Sequence, residues 1–287
     1  MKHYVIYTAI VGNYDEIPQP LVVDDRFDYI LFSNDIKESR VGVWQVRTID
    51  YENSDRIKIA RYVKTHPDFL LDGYEFSIWV DANIQIKTDY IYNRTIELFS
   101  DDLTISAVVH PERDCIYKEM FVVYDLCYET ENTILEWAEV LRKNKYPKGN
   151  GLNETGVIYR NHGKSQIKDF DSLWWNCIDK YSHRDQLSFN YALWKLNLEC
   201  ISLLPKDQNV RFFEGFNYIS HSNCCGKFYD RSFDFSLLRR YYLDLPNKKK
   251  EIENVYYKIF GRRCSKFWAW VFGQYYRIKY HIVDRKR

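Results

Sequence analysis

Several features that define other protein classes are missing from this chain. No stretch approaches the ~18 consecutive apolar residues that a membrane-spanning helix needs. The opening segment, MKHYVIYTAIVG, has no positive region followed by a long apolar run, so we expect no signal peptide. The seven cysteines are irregularly spaced and form no CxxC pair, which argues against a disulfide framework and a zinc site. We therefore expect a protein of the reducing cytoplasm.

What the chain does contain is enough apolar sequence to build a large core. It has 287 residues, of which 46% are hydrophobic and 17% aromatic. This length fits one large domain with an appendage or two domains equally well. Aromatic side chains enlarge cores, and they also line carbohydrate-binding and membrane-interface surfaces, because they combine an apolar face with a polar edge.

The formal net charge is only +1, but the charges are unevenly distributed. Residues 239–287 hold fourteen Lys and Arg against four Asp and Glu, a net charge of +10, so residues 1–238 carry −9. An acidic body argues against a nucleic-acid partner. We predict a catalytic domain over residues 1–236 and a basic, aromatic, helical extension over residues 237–287.

The extension has two interpretations. Phe267, Val271, Tyr275 and Ile278 lie at helical spacing among Lys and Arg residues. A basic, aromatic, amphipathic helix is typical of a peripheral anchor on anionic lipid, here at the inner face of a membrane. A helix that packs on the catalytic domain or in a dimer would show the same pattern.

Strand and helix patterns alternate along the first 200 residues. Strands are predicted over residues 4–12, 28–35, 43–49, 76–81, 103–110 and 156–160, and helices over 56–64, 131–145 and 185–196. His66-Pro67 should end the first helix, with Ser54-Asp55 as its N-terminal cap. This order predicts an α/β fold with a central, mostly parallel sheet flanked by helices.

Polar clusters follow four of the predicted strands, at residues 12–15, 33–35, 81–83 and 110–114. Ligands of such sheets bind beyond the carboxyl ends of the strands. Asp81 and Asn83 are the sharpest pair, because a buried strand can present both to one hard cation that bridges them to phosphates. A D-x-N sequence by itself is more often an ordinary turn after a strand.

The segment ISHSNCCGKFY supplies further candidates. His221 could complete a metal site, Gly226 would let the backbone approach a pyrophosphate, and Lys227 would neutralise it. Cys224 and Cys225 suggest zinc, but adjacent cysteines lack the usual ligand spacing.

Three further groups are candidates on weaker grounds. Asp185 and Gln186 stand at a helix start, where an acid is also favoured by the helix dipole. Asn153, Glu154 and Thr155 precede a strand. The basic residues of the first helix could bind phosphates or could form its solvated face; they are Arg56, Arg61 and Lys64.

Six motifs in this order resemble a glycosyltransferase-like family first catalogued as a domain of unknown function: YTAIVGNYDE, ARYVKTHP, WVDANIQI, HPERDCIYKE, LNETGVIYRNH and RDQLSFNYALWK. That family occurs in bacterial surface-polysaccharide loci and in plant pectin galacturonosyltransferases. The motif order is also similar to that of retaining, metal-dependent enzymes of the galactosyltransferase and glycogenin type. The resemblance covers residues 1–230 and implies a GT-A-like nucleotide-sugar-binding fold.

The resemblance also implies roles for individual residues. Asp81 and Asn83 match the D-x-D metal pair, and His221 matches the third metal ligand. Lys227 matches the phosphate-binding lysine, and Arg56, with Arg61 as the alternative, matches the arginine of the preceding helix. Two departures are clear: Asn83 replaces the second Asp, and the loop holds one residue fewer between Gly226 and its lysine.

The same resemblance places the nucleoside, the acceptor and the reacting sugar. Thr8, Ala9, Gly12, Asn13 and Tyr14 match the loop that holds the nucleoside. The acceptor lies near residues 153–156, and Asp185 and Gln186 match the pair beside the reacting sugar.

The predicted activity is that of a metal-dependent hexosyltransferase in surface-polysaccharide or capsule synthesis. Its donor would be a UDP-sugar bound with Mn²⁺ or Mg²⁺, and its acceptor a glycan or a lipid-linked sugar. Inversion would need a base such as Asp185 or Glu154, whereas the resemblance favours retention. The rival hypotheses are a catalytically silent carbohydrate-binding protein and a nucleotidyltransferase, which would need a second close carboxylate that Asn83 does not supply.

Overall fold

The computed structural model describes residues 3–12, 16–126 and 128–219. The predicted domain boundary at residue 236 and the basic extension lie outside this part of the chain and stay predictions. Among the helices of the described part, none combines the length and the apolar character that crossing a bilayer requires.

Ten strands and seven helices make up the described residues. The strands are β1 (Tyr4–Ala9), β2 (Phe27–Phe32), β3 (Arg40–Val41), β4 (Trp44–Arg47), β5 (Phe76–Val80), β6 (Ile84–Ile86), β7 (Ile105–Val109), β8 (Asn153–Asn161), β9 (Ile201–Ser202) and β10 (Phe216–Tyr218). The helices are α1 (Arg56–Thr65), α2 (Pro67–Leu70), α3 (Tyr90–Ser100), α4 (Ile116–Asp125), α5 (Glu131–Lys143), α6 (Ser165–Lys180) and α7 (Gln186–Lys195).

Every predicted strand and helix within this part is present, with shifts of a few residues at the ends. Asp55 is the N-terminal cap of α1, because its side chain accepts a hydrogen bond from the backbone nitrogen of Ile57. The helix ends at Thr65, just before His66-Pro67 as predicted, and Pro67 then begins α2. The patterns of α3, α4 and α6 were not recognised, although α6 buries Ile167, Phe170, Trp174 and Ile178 at helical spacing.

The central sheet has eight strands in the order β3-β4-β2-β1-β5-β8-β7-β9. Four of its seven neighbouring pairs are parallel, including the run from β4 to β5. The strand β8 lies antiparallel to β5 and β7. Its amino end therefore lies at the same edge as the carboxyl ends of β1, β5 and β7.

Two hydrophobic clusters cover the two faces of this sheet. Because strand side chains alternate, Ile6 and Ile78 lie in one cluster, whereas Tyr7 and Trp79 lie in the other. The first cluster includes residues of α3 and of a small ribbon in which β10 pairs antiparallel with β6. The second includes residues of α1, α6 and α7. The central strands are therefore covered on both faces, as their nearly continuous apolar sequence predicted.

A buried ion pair joins the sheet to α6. Arg160 on β8 is fully buried and donates to Asp171 Oδ1 at 2.9 Å, to the Tyr7 hydroxyl at 3.0 Å and to the Lys64 carbonyl at 3.0 Å. Replacing Arg160 with Met would leave the Asp171 carboxyl buried without its cation. We expect a loss of ~3–5 kcal/mol in the free energy of unfolding, measured by urea denaturation.

The exposed Arg142 on α5 is the matched control, because its side chain is 66% exposed and pairs with Glu139 at the surface. Arg142→Met should change the free energy of unfolding by less than about 1 kcal/mol. Equal urea midpoints for the two variants would contradict a structural role for the buried pair.

Candidate active site

The predicted site residues that the structure describes collect at the edge where β1, β5 and β7 end and β8 begins. Asp81 follows β5 directly, and its backbone nitrogen donates to the carbonyl of Gly156 on β8 at 2.8 Å. Its Oδ1 accepts a hydrogen bond of 2.6 Å from Trp79 Nε1. Residues two positions apart in an extended segment share a face, and this hydrogen bond from Trp79 fixes the orientation of the Asp81 carboxylate.

Lys64, near the carboxyl end of α1, is the centre of the charge arrangement. Its side chain is fully buried, and its Nζ lies 2.5 Å from Asp185 Oδ2 and 3.3 Å from Asp81 Oδ1. Burial lowers the pKa of Lys64, whereas the two carboxylates act in the opposite direction. The interpretation of this lysine as part of a solvated helix face is wrong, because long-range partners draw it inside.

Asp185 is the second carboxylate of this ion cluster and is nearly buried. Its Oδ2 also accepts from the Thr155 hydroxyl at 3.0 Å, and its Oδ1 lies 3.4 Å from Arg61 Nε. Burial opposes its ionisation, but the charges of Arg61 and Lys64 outweigh that effect and hold the pKa of Asp185 well below its usual range. Asp185 is therefore an ionised partner of two cations.

Gln186, the first residue of α7, presents a different chemistry. Its amide nitrogen is buried and has no hydrogen-bond partner within the described residues. A buried donor without a partner is rare in folded proteins, and a bound polar group can supply the missing acceptor. Gln186 thus carries an unpaired donor at the residue that follows Asp185.

Asn83, the other half of the predicted metal pair, has part of its side chain committed to the fold. Its Nδ2 donates to the carbonyl of Ile219 at 3.2 Å, and the Ile219 nitrogen donates to the Asn83 carbonyl at 2.8 Å. The amide oxygen of Asn83 is the atom left to bind a cation. His221, Gly226 and Lys227 lie outside the described residues.

Asp81 Oδ2 lies next to Gly156 of β8. A Cβ added to Gly156 would lie at an ordinary contact distance of 3.5 Å from that oxygen but only 3.0 Å from Ile84 Cδ1, so the glycine makes room chiefly for Ile84. Within the described ranges, no three His, Cys, Asp or Glu side chains form a metal-binding group. The residues that fit a divalent cation are therefore Asp81 through Oδ2 and Asn83 through its amide oxygen.

The predicted nucleoside loop follows β1. Gly12 has a φ of +77°, a backbone conformation that favours glycine, and a Cβ there would lie 2.7 Å from a nitrogen of the flexible Arg56 guanidinium. The Gly12 nitrogen donates to Asp35 Oδ2 at 2.5 Å. Thr8 is buried and its hydroxyl has no partner within the described residues. Asn13 and Tyr14 lie outside them.

The three basic residues of α1 therefore contact two different parts of the site. Arg56 packs against Gly12 at the nucleoside loop, whereas Arg61 and Lys64 reach Asp185. The buried residue Ala9 ends β1 beside that loop. The sequence alone did not pair Arg61 or Lys64 with Asp185, because more than 100 positions separate them.

Glu154 lies on the other side of the site, near the start of β8. Its Oε2 is buried and has no hydrogen-bond partner within the described residues. Burial raises the pKa of Glu154, while Arg211, the backbone nitrogen of Val210 and Arg113 act to lower it. The pairing of β7 with β8 shifts register between Ala107 and Val108, as bulged strands near active sites often do.

Two neighbours of Glu154 have structural roles. Asn153 pairs with Asn190, since its backbone nitrogen and side-chain oxygen bond the Asn190 amide at 2.9 Å and 2.8 Å. His110 Nδ1 accepts from the backbone nitrogens of Glu112 and Arg113. Burial and the charges of Arg113 and Arg211 lower the pKa of His110 to about 3, so this imidazole is neutral.

Sequence reasoning missed Trp79, Arg113 and Arg211 as members of this site. Trp79 lies two residues before Asp81, which is a spacing that predicts a shared face. Arg113 lies inside the polar cluster after β7. Arg211 lies in a loop, and no local sequence pattern indicates which strand a loop residue approaches.

An α/β sheet with a carboxylate at the end of a central strand, next to a glycine-containing loop and basic residues, can bind a ligand at the carboxyl edge of its strands. The family profile described as TOD1/MUCI70, glycosyltransferase-like domain, matches residues 1–218, and the chain belongs to this family. The predicted membership in a glycosyltransferase-like family and the predicted α/β fold class are thereby confirmed.

Two known proteins illustrate the likeness. The chain is 23% identical over 223 residues to a protein of Arabidopsis thaliana named alkaline ceramidase TOD1; the match covers 66% of this chain and 47% of that protein. It thus spans about half of that relative. The apo structure of the bifunctional glycosyltransferase WbbM matches with a TM-score of 0.41 and 12% identity, covering 70% of this chain and 38% of the other.

Proposed function

We propose that this protein is a metal-dependent glycosyltransferase that moves a sugar from a UDP-sugar to a glycan or lipid-linked acceptor in surface-polysaccharide synthesis. The observation that carries the proposal is the buried Lys64 held between Asp81 and Asp185 at the carboxyl end of β5. Lys64 and Asp185 are buried, whereas the Asp81 side chain is 31% exposed, so this cluster places one ionised carboxylate within reach of a ligand. Cytoplasmic location and attachment to the inner membrane face through the basic extension are part of the proposal.

The donor would lie across the edge from the loop after β1 to the start of α7. Gly12 allows the backbone to approach the nucleoside, and Arg56 beside it supplies a guanidinium for a phosphate. Asp81 and Asn83, together with His221, would hold Mn²⁺ or Mg²⁺. When bound, this cation would stabilise the negative charge that develops on the leaving diphosphate. Gly226 and Lys227 are proposed to contact the same phosphates.

The donor sugar would then lie against Asp185 and Gln186. The lowered pKa of Asp185 keeps it ionised, so it orients and accepts hydrogen bonds from sugar hydroxyls but does not take a proton. The unpartnered amide nitrogen of Gln186 supplies a donor next to it. Of the two carboxylates considered as a base, Glu154 is the better suited, because burial raises its pKa.

Replacing Glu154 with Gln separates the two stereochemical outcomes. We propose retention, in which Glu154 contacts the acceptor hydroxyl without acting as the base. Loss of that one contact should lower kcat by about tenfold or less. The measurement is transfer to a saccharide acceptor, with the product anomer determined by NMR.

A kcat that is about 10²–10⁴-fold lower in Glu154→Gln, together with a product whose anomeric configuration is opposite to that of the donor, would make Glu154 the general base. That result would contradict retention. Glu75, whose side chain is 45% exposed just before the amino end of β5, provides the matched control. Glu75→Gln should leave the transfer rate close to that of the unchanged protein.

The general test is release of nucleoside diphosphate from a panel of nucleotide sugars, with Mn²⁺, with Mg²⁺ and with chelator. Metal-dependent release supports the proposed enzyme. Saccharide binding without release would favour a catalytically silent carbohydrate-binding protein, and pyrophosphate release from sugar phosphate and UTP would favour a nucleotidyltransferase. Because the Arabidopsis relative is named a ceramidase, ceramide hydrolysis is assayed in parallel, and its presence without sugar transfer would refute the proposal.

A further inference from the structure

We propose that a cleft beside α3 binds the part of a saccharide acceptor that extends beyond the reacting sugar. The cleft has a volume of about 570 Å³, and its lining includes Thr88, Asp89, Tyr90, Arg94, Phe213 and Glu214. None of these residues belongs to the site described above. The inference rests on the proposed function, because it assigns the acceptor of that reaction.

The apolar part of the cleft includes two aromatic rings with a fixed geometry. The rings of Tyr90 and Phe213 have centroids 4.7 Å apart and lie nearly perpendicular, at 69°. The Tyr90 hydroxyl donates to the Leu203 carbonyl at 3.2 Å, which holds the ring in place. An aromatic ring fixed in a cleft offers an apolar surface on which the C–H face of a sugar can pack.

The polar part of the cleft mixes hydrogen-bond donors and acceptors. Arg94 lies 3.3 Å from Glu97 and donates to the Ser202 carbonyl at 3.4 Å, leaving its side chain 25% exposed. Asn93 donates to Asp89 at 3.1 Å. Carboxylate, amide and guanidinium groups side by side can pair with neighbouring hydroxyls of one ligand.

The charge of the cleft selects against other ligand classes. Its lining holds the carboxylates of Asp89, Glu97 and Glu214 against the single cation of Arg94. An anionic ligand such as a phosphate would be repelled, and a purely apolar chain would leave these groups without partners. A neutral, hydroxyl-rich ligand matches both the rings and the polar groups.

Two structural elements connect the cleft to the active site. The loop over residues 203–215 lines the cleft at both ends, through Leu204 and Phe213, and contacts Glu154 in between through the backbone of Val210. The ribbon of β6 and β10 begins beside Asn83. It ends where the backbone nitrogen of Lys87 donates to the carbonyl of Gly215. From Asn83 to Lys87 there are four residue steps, so at ~3.4 Å per residue these ends lie about 14 Å apart. A saccharide chain with its reacting end at Glu154 can therefore continue into the cleft.

The test measures binding of short, soluble, neutral galactan, glucan and rhamnan oligosaccharides to the full chain by calorimetry. Tyr90→Ala removes the ring, and Arg94→Ala removes the rim cation without disturbing the core. We expect each variant to bind the best oligosaccharide about tenfold more weakly. Arg142→Ala is the matched control, because Arg142 also pairs with a glutamate three positions away on a helix surface; its affinity should be unchanged.

Equal affinities of the unchanged protein, Tyr90→Ala and Arg94→Ala would overturn the inference, as would the absence of binding to every oligosaccharide. If Tyr90→Ala does not fold, Arg94→Ala decides alone. Nucleoside diphosphate release by the unchanged protein is measured separately. If the unchanged protein releases nucleoside diphosphate but the cleft variants bind saccharide as tightly as it does, only the acceptor cleft is refuted. If the unchanged protein releases no nucleoside diphosphate, the proposed function is refuted.

Discussion

Asp81→Asn is expected to lower metal-dependent release of nucleoside diphosphate by about 10²–10³-fold, the usual cost of removing one group that stabilises transition-state charge. The substitution keeps the size of the side chain but removes its charge. It also replaces one oxygen with an NH₂ group, which cannot bind a cation. Asp81 carries the only carboxylate of the D-x-N pair, so Asn83 cannot compensate for its loss.

The fold should survive this change. Lys64 keeps its 2.5 Å contact with Asp185, which is shorter than the 3.3 Å contact with Asp81. We therefore expect a Tm close to that of the unchanged protein, so that the loss of activity reports on chemistry. Asp102→Asn is the control, because that carboxylate is 76% exposed and pairs with Lys164 at the surface. Full activity in Asp81→Asn would rule out the proposed metal site.

Lys64→Met should lower the stability strongly. It removes the buried cation between Asp81 and Asp185, so that, within the described residues, Arg61 is left as the salt-bridge partner of Asp185 beside the Thr155 hydroxyl. Loss of one partner of a buried ion pair costs ~3–5 kcal/mol in the free energy of unfolding. Donor turnover should fall as well, because both carboxylates lose their fixed positions.

The pH dependence of the stability that Lys64→Met loses identifies the cause of that loss. The pKa of Asp185 is lower in the folded protein than the usual ~3.9 of an unfolded aspartate. Its ionised form therefore contributes stability above pH ~4, and that contribution is lost as the pH falls through the folded pKa. We expect the difference between the unchanged protein and Lys64→Met to be largest near pH 7 and to shrink toward pH 3.

Lys143→Met, on the 71% exposed Lys143, serves as the control for this series. Its urea midpoint should follow that of the unchanged protein at every pH. A cost of Lys64→Met that is the same from pH 7 to pH 3 would show that lost packing, and not the ion pair, explains it. Lys64→Arg can test the charge requirement if Lys64→Met does not fold.

The sequence by itself determined the elements that depend on local pattern. Continuous apolar runs identified β1 and β5 as buried strands, and the Asp81-Ala82-Asn83 sequence marked the end of β5 as a place for chemistry. The proline at residue 67 set the end of α1, because a proline nitrogen cannot continue the backbone hydrogen bonds. These features can be predicted from neighbouring residues alone.

The direction of β8 was decided by the tertiary structure. An apolar strand has the same pattern in either direction, so its sequence could not show that it runs antiparallel to β5. This reversal brings Glu154 and Thr155 to the carboxyl edge of β5. The candidate acceptor side of the site exists only because of it.

The role of Lys64 was decided in the same way. A lysine on a helix is usually solvated, and the sequence offered that interpretation along with phosphate binding. Only the packing of α1 against β1 and α6 places Lys64 between two carboxylates, one of them 121 residues away. Local pattern thus determined where chemistry could occur, whereas the long-range contacts of buried charges determined which side chains meet there.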